Sequence, residues 1–156
     1  MAMDLTIAWL PPFKLTDASK QRMTYTFDGL DDLPDTAGVY VFGRRHGNAF
    51  SPLYVGKATI ISRRIPQQLN NNKLMRALEL APNGRRELLI GEVMAKRGLQ
   101  PERAIVVVER GLIKLALAQG HDLVNVSGTA IRSHTVHMSG DRAARDWLQT
   151  RRLQVE

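Results

Sequence analysis

The pattern of apolar and polar positions predicts three β-strands in the middle of the chain. Residues 38–42 and 53–57 each alternate with the period of two that places successive side chains on opposite faces of a sheet. The segment between them, residues 43–52, contains glycine and proline, so an antiparallel hairpin is the simplest arrangement. A further apolar stretch, residues 87–94, predicts a third strand, in which Gly91 either weakens the strand or marks a bulge.

Helices are predicted on both sides of the third strand. A first helix begins at residues 60–65, and we expect Pro66 to interrupt it before a second piece over residues 73–80. A longer helix is predicted over residues 102–119, where Gly120 would end it.

The two ends of the chain carry weaker patterns. Residues 1–22 include a pair of prolines and predict irregular structure with at most a short helix. Residues 135–138 predict a strand, and residues 141–154 predict a basic helix anchored by Trp147.

Positive charge is the strongest feature of the composition. The chain has 22 lysines and arginines against 15 aspartates and glutamates, which gives a formal net charge of +7. Such an excess favours a polyanionic partner, nucleic acid before an anionic membrane surface. The alternative is that these charges only keep the protein in solution.

The composition also excludes several kinds of chemistry. With no cysteine, the chain cannot use a disulfide, a thiolate metal site or a thiol nucleophile. The N-terminal segment lacks the basic region and apolar run of a signal peptide, and the longest aliphatic run, residues 104–108, is far too short for a membrane helix. We therefore expect a cytoplasmic protein without a membrane partner.

Two tyrosines and a lysine are the first candidates for a site. If the hairpin pairs its apolar faces, Tyr40 and Tyr54 share a surface, Gly56 leaves a gap beside them, and Lys57 follows at the strand end. Phenols, a gap and an ammonium group suit a phosphate. The alternative is that both tyrosines are ordinary half-buried strand residues.

Five ordered elements carry a resemblance to a known family. They are the tripeptides Gly-Val-Tyr at 38–40 and Tyr-Val-Gly at 54–56, then Arg64, Glu109 followed by a Leu-Ile pair, and Asn125. This set resembles the GIY-YIG endonucleases and is similar to the N-terminal incision domain of bacterial nucleotide-excision-repair nucleases.

The resemblance covers about residues 34–128 and implies an α/β (α+β) fold. The expected core is a small three-stranded antiparallel sheet flanked by helices. Residues 1–33 would then form an N-terminal extension, and residues 129–156 a C-terminal strand and helix packed on the domain.

The resemblance implies a metal-dependent endonuclease that hydrolyses DNA phosphodiesters with Mg²⁺ or Mn²⁺. Glu109 would hold the metal, since a carboxylate suits a hard cation. Arg64 would stabilise charge on the scissile phosphate, and Tyr40 would act as general base with help from Lys57. The other implied roles are a phosphate hydrogen bond from Tyr54, clearance at Gly56, and fixing of the site around Glu109 by Asn125.

Arginines outside this set are candidates for contacts with the DNA backbone, or else are simply solvated. They are Arg44, Arg45, Arg63, Arg142 and Arg145.

One position departs from the family pattern. A histidine or tyrosine often stands one helical turn after the arginine, where this chain has Gln68, and Pro66 lies between the two. The second hypothesis is therefore a nucleic-acid-binding module with weak or lost catalysis. RNA is an alternative substrate, and cleavage of both strands would require a homodimer or two binding events.

Overall fold

The structure, a computed structural model, describes residues 4–125, 134–148 and 152–155 of the 156-residue chain. The strands in these ranges are β1 (Asp4–Trp9), β2 (Phe13–Lys14), β3 (Thr16–Asp17), β4 (Tyr25–Thr26), β5 (Gly38–His46), β6 (Ala49–Ala58), β7 (Arg85–Ala95), β8 (His134–Gly140) and β9 (Arg152–Val155). The helices are α1 (Ile61–Leu69), α2 (Asn72–Leu80), α3 (Pro101–Ala118) and the single turn α4 (Arg142–Arg145).

A mixed β-sheet in the order β6-β5-β7-β1-β8-β9 forms the centre of the molecule. All neighbours in it are antiparallel except β1 and β8, which are parallel. The short strand β2 pairs with the first half of β7, and β3 and β4 form a separate two-stranded sheet. The expectation of a small three-stranded sheet was wrong. The three predicted strands are present and antiparallel, but they form only half of a six-strand mixed sheet.

The strand β1 accounts for much of that difference. Leu5, Ile7 and Trp9 are buried on one face of the sheet, and their strand lies between β7 and β8. The prediction of irregular structure for residues 1–22 therefore missed a central strand. The prolines that suggested irregularity follow β1, where the chain bends before β2 continues along β7.

The hairpin is longer and tighter than predicted. β5 and β6 pair over almost their full length, and only Gly47 and Asn48 connect them. Gly47 has a φ of +62°, a conformation that glycine adopts without steric cost. A register shift between Phe42 and Gly43 marks a bulge, which lets both strands continue past the predicted loop.

Apolar side chains cover both faces of the sheet. On one face, α3 and the C-terminal helical turn pack over the hairpin and β1. The buried residues there include Leu5, Ile7, Val39, Val41, Val55, Val108, Leu112 and Trp147. On the other face, α1 and α2 pack over the same hairpin. The buried residues there include Tyr40, Phe42, Ile61, Ile65, Leu69, Leu74 and Leu78.

Helix α1 runs through Pro66 rather than stopping there. Proline lacks the N–H of one intrahelical hydrogen bond, yet the helix continues to Leu69. At its start, the N–H groups of Ile61 and Ser62 bond to carbonyls of the segment before β5. None of the helices in the described part of the chain is long and apolar enough to cross a membrane.

The C-terminal segment forms a strand where a helix was predicted. Asp141 does cap a helix, because its side chain accepts hydrogen bonds from the N–H groups of Ala143 and Ala144. That helix ends at Arg145, and β9 pairs antiparallel with β8. The helix predicted over residues 141–154 is therefore present only as short turns over residues 142–148, and the prediction was wrong for residues 152–154, which lie in β9.

Candidate active site

Tyr40 and Tyr54 lie on the same face of the hairpin, as the alternation of their strands predicts. Tyr40 is paired across the hairpin with Gly56, and a Cβ at Gly56 would overlap the ring and hydroxyl oxygen of Tyr40. The tyrosine ring therefore uses the space that a side chain at position 56 would take. The two tyrosine rings are nearly parallel, with their centroids 6.3 Å apart and 12° between their planes.

Helix α1 places two donors on the hydroxyl oxygen of Tyr40. Gln68 Nε2 donates a hydrogen bond to Tyr40 Oη at 2.6 Å, and Arg64 Nε donates a longer one at 3.4 Å. Arg64 and Gln68 are four residues apart, so a continuous helix presents both on one side. Because α1 continues past Pro66, this arrangement is kept.

The side chain of Gln68 also connects the two tyrosines. Its Nε2 donates to Tyr54 Oη at 3.2 Å, and its Oε1 accepts a hydrogen bond from Asn71 Nδ2 at 2.9 Å. Asn71 in turn caps α2, because its Oδ1 accepts from the N–H of Leu74. A polar chain therefore runs from the start of α2 to the tyrosine pair.

The environment of Tyr40 keeps the phenol neutral near pH 7. Burial raises the pKa of Tyr40 above its ordinary value, and the hydrogen bonds from Arg64 and Gln68 oppose this effect only in part. The same hydrogen bond with Tyr40 raises the pKa of Arg64, so the guanidinium remains charged.

On the opposite side of β6, helix α3 places Glu109 next to Lys57. Lys57 Nζ lies 3.6 Å from Glu109 Oε1, and the Glu109 side chain is only 12% exposed against 42% for Lys57. Burial raises the pKa of the Glu109 carboxyl, while Lys57, Arg110 and Arg64 act to lower it. The carboxylate is thus shielded from water but surrounded by cations.

Asn125 bonds to the backbone of β6 instead of pointing at the other site residues. Its Nδ2 donates to the carbonyl of Val55 at 2.6 Å, and its Oδ1 accepts from the N–H of Val55 at 3.2 Å. The N–H of Val124 donates to the carbonyl of Leu53 at 2.8 Å. Asn125 therefore holds the outer edge of β6 between Tyr54 and Gly56.

An open cleft of about 390 Å³ lies beside Arg64, between α1 and the end of β6. Three cationic side chains, Lys57, Arg63 and Arg64, are among the residues that line it. The other lining residues are Ala58, Thr59, Ile60, Gln67 and Ile105. A cleft with this charge suits an anionic group such as a phosphate.

Glu109 is the carboxylate of this site that could act as a ligand of a divalent cation. Among the described residues, no group of three or more histidines, aspartates or glutamates could hold a metal ion. Glu109 would be a single carboxylate ligand, and Mg²⁺ is commonly bound through one or two carboxylates, water and substrate phosphates. Lys57 Nζ, at 3.6 Å, would compete with such a cation for the same carboxylate oxygen.

The remaining arginines are spread over the molecule. Arg45 is 6% exposed, and its Nε bonds to Glu87 at 2.9 Å while its Nη2 bonds to the carbonyl of Ala143. Such a buried residue holds the fold together and offers no surface to DNA, so we do not retain it as a DNA contact. Arg44 Nη1 bonds to the carbonyl of Asn83.

Arg142 and Arg145 lie far from the cleft. They belong to α4, whose following turn packs Trp147 against Phe50 near the start of β6. The seven residue steps from Phe50 to Lys57 span roughly 23 Å of strand. These arginines therefore sit at the opposite end of β6 from the cleft.

Two residues of the network, Gln68 and Asn71, were not expected to belong to the site. Gln68 was interpreted only as a departure from the family pattern. Its spacing of four from Arg64 was a usable signal, because it places both residues on one helix face. Asn71 caps α2, as asparagine often does, but its contact with Gln68 depends on the tertiary structure.

Comparison of the chain with protein-family models, with curated proteins and with solved structures finds no match.

Proposed function

We propose that this protein is a metal-dependent DNA endonuclease that hydrolyses phosphodiester bonds at a GIY-YIG-type site. The observation that carries the proposal is the placement of two residue pairs at one end of the hairpin. Tyr40 and Arg64 lie on one side of β6, Lys57 and Glu109 lie on the other, and Arg64 and Lys57 line the same cleft. These residues come from β5, α1, β6 and α3, and no local pattern requires them to meet.

The phosphate would bind in the cationic cleft. Arg64 offers a planar set of donors that suits two phosphate oxygens, and Lys57 adds a compact charge beside it. Charge on the phosphate grows as the nucleophile attacks, so Arg64 would contribute more to the transition state than to the ground state.

Tyr40 is the proposed general base. Its oxygen already accepts hydrogen bonds from Arg64 and Gln68, so a neutral Tyr40 has no strong acceptor capacity left for a water proton. The same two donors would stabilise the tyrosinate. Tyr40 would therefore accept a proton from water only in its ionised form, and the rate should depend on that fraction.

Glu109 would anchor the cation. A divalent ion bound there would neutralise charge on the phosphate and leaving oxygen. Lys57 pairs with the same carboxylate, so a cation would have to displace the ammonium group, and the DNA phosphate would supply the oxygen ligands that the chain does not.

A nucleic-acid-binding module without catalysis is the second candidate. The observation in its favour is that Glu109 already pairs with Lys57, and that the described residues offer no cluster of carboxylates around it. Such a module would keep the cationic cleft and lose only the metal.

The two candidates differ in an assay that needs only supercoiled plasmid. The endonuclease should nick plasmid in Mg²⁺ or Mn²⁺ and not in EDTA. Glu109→Gln should abolish nicking, because a neutral amide binds the metal poorly, yet leave DNA affinity and the circular dichroism spectrum unchanged. Equal nicking by Glu109→Gln would place the metal elsewhere. Binding without nicking by the parent protein, in either metal, would favour the second candidate.

A further inference from the structure

Gln68 is a polar residue in an otherwise apolar layer. It is 3% exposed and lies between α1 and the sheet, where Ile61, Ile65 and Leu69 of the same helix are also buried. A leucine or methionine would fill such a position without the cost of burying an amide. The presence of a glutamine at this buried position therefore needs an explanation, which its hydrogen bonds supply.

Every polar atom of the Gln68 side chain is engaged. Nε2 has two hydrogens, and it reaches two oxygens, Tyr40 Oη and Tyr54 Oη. Oε1 accepts from Asn71, which is itself fixed as the cap of α2. This last contact decides the direction of the amide, because a reversed amide would bring the Asn71 donor against an NH₂ group.

The direction of these hydrogen bonds determines where the phenol hydrogens of the two tyrosines can point. Since Gln68 donates to both oxygens, neither phenol hydrogen can point at Gln68. The oxygen of Tyr40 accepts from Arg64 as well, so both of its lone pairs are used and its own hydrogen must point away from α1.

We propose that Gln68 is a positioning residue that orients Tyr40 and promotes its ionisation by donating a hydrogen bond to the phenol oxygen. This rests on the proposed function only for its consequence in catalysis. In that setting Gln68 stands where the resembling family often has histidine or tyrosine, and it does not act as a base, since an amide group does not accept a proton near neutral pH.

A purely structural role makes a different prediction. If Gln68 only joined α1 to the hairpin, its replacement would lower the stability of the fold and leave the pKa of Tyr40 unchanged. If Gln68 stabilises the tyrosinate, its replacement should raise that pKa further, because a hydrogen bond to the charged oxygen is lost.

The test is a titration of each tyrosine by NMR with ¹³Cζ-labelled tyrosine, without DNA. Gln68→Met conserves volume, and it should raise the Tyr40 pKa by about one to two units, the size expected for a hydrogen bond to a charged group. Gln68→His restores an N–H donor and should recover part of the shift. Asn70→Ala, an exposed change at the end of the same helix, should leave the Tyr40 titration unchanged.

Activity gives the second readout. At a fixed pH, Gln68→Met should lower kcat about 10- to 100-fold, in step with the lost tyrosinate, while KM for DNA stays near the parent value. Raising the pH should restore the rate of this variant. A drop in kcat that no increase in pH restores would overturn the link to ionisation.

The parent protein provides a measurement that does not depend on any variant folding. The side-chain amide protons of Gln68 should shift as the pH passes through the Tyr40 titration, because the bond to a tyrosinate is stronger. No response of these protons, or an unchanged Tyr40 pKa in a folded Gln68→Met, would overturn the proposal. If the parent never cleaves nucleic acid, the proposed function fails, and the titration alone still decides whether Gln68 controls Tyr40.

Discussion

Gly56 faces Tyr40 across the β5–β6 hairpin, and the ring of the tyrosine occupies the space above the glycine. This contact sets the position of the Tyr40 oxygen, which lies within hydrogen-bonding distance of two residues of α1. Position 56 must therefore be a glycine, because any larger residue would overlap the ring of Tyr40.

Gly56→Ala should displace Tyr40 and reduce cleavage strongly. The added methyl group would overlap the ring, and forcing extra volume into a packed site typically costs about 1–3 kcal/mol. The measurements are the free energy of unfolding in urea and the rate of plasmid nicking. Gly47→Ala, at the solvent-exposed turn of the same hairpin, meets no atom within 4 Å. It should lose only the roughly 1–2 kcal/mol of its positive φ and keep full activity.

Arg64 and Arg63 form a matched pair for testing the phosphate contact. Both line the cleft, but only Arg64 bonds to Tyr40. Arg64→Ala should lower the cleavage rate about 10²–10³-fold, the usual effect of losing one donor to a transition state. Arg63→Ala should weaken DNA binding modestly and leave kcat near the parent value. Equal losses of kcat in the two variants would show that Arg64 contributes no more to the transition state than Arg63 does.

Cleavage should rise with pH across the neutral range. Because burial raises the pKa of Tyr40 above its ordinary value of about 10, its ionised fraction grows tenfold per pH unit below that pKa. The logarithm of kcat should therefore increase with a slope near one between about pH 7 and 9.

Tyr40→Phe should remove this slope together with most of the rate. The variant keeps the ring that fills the space above Gly56, so the fold should be preserved. If Tyr40→Phe retained the slope, the titrating group would be another one, such as a metal-bound water.

Arg45 and Glu87 form a buried ion pair that should matter for stability and not for DNA binding. Their side chains are 6% and 8% exposed, and Arg45 Nε lies 2.9 Å from Glu87 Oε1. Arg45→Ala leaves Glu87 buried without its main partner, which typically costs about 3–5 kcal/mol. Thermal unfolding measures this loss.

Arg44→Ala is the control for the same strand. Arg44 is only partly buried and bonds to a loop carbonyl, so its loss should change stability little. If DNA affinity at constant folded fraction dropped for Arg45→Ala, the assignment of Arg45 to the fold alone would be wrong.

The local sequence pattern was sufficient for the hairpin, β7 and α3. Alternation identified the faces of residues 38–42 and 54–57, and the long helix predicted over residues 102–119 is placed by the structure at Pro101–Ala118. Asn71 and Asp141 cap helices as their types predict. These features depend on neighbours within a few residues, so the sequence contains the information needed to predict them.

Tertiary pairing decided what local patterns could not. The residues Leu5, Ile7 and Trp9 become a central strand because β7 and β8 supply hydrogen bonds on both sides, from positions more than eighty residues away in the chain. Residues 152–155 are a strand and not the end of a helix because the edge of β8 offers unpaired backbone groups. The sequences of β1 and β9 by themselves do not reveal the strands with which they pair.

The candidate site divides in the same way. The sequence determined which residue types are available: two tyrosines two residues from glycine, an arginine on a helix, and a glutamate on another. Only the tertiary structure decided that Gln68 reaches both tyrosines and that Arg45 is buried, while Arg63 borders the cleft. Hydrogen-bond direction and burial are properties of packed elements, because each depends on atoms that distant parts of the chain bring together.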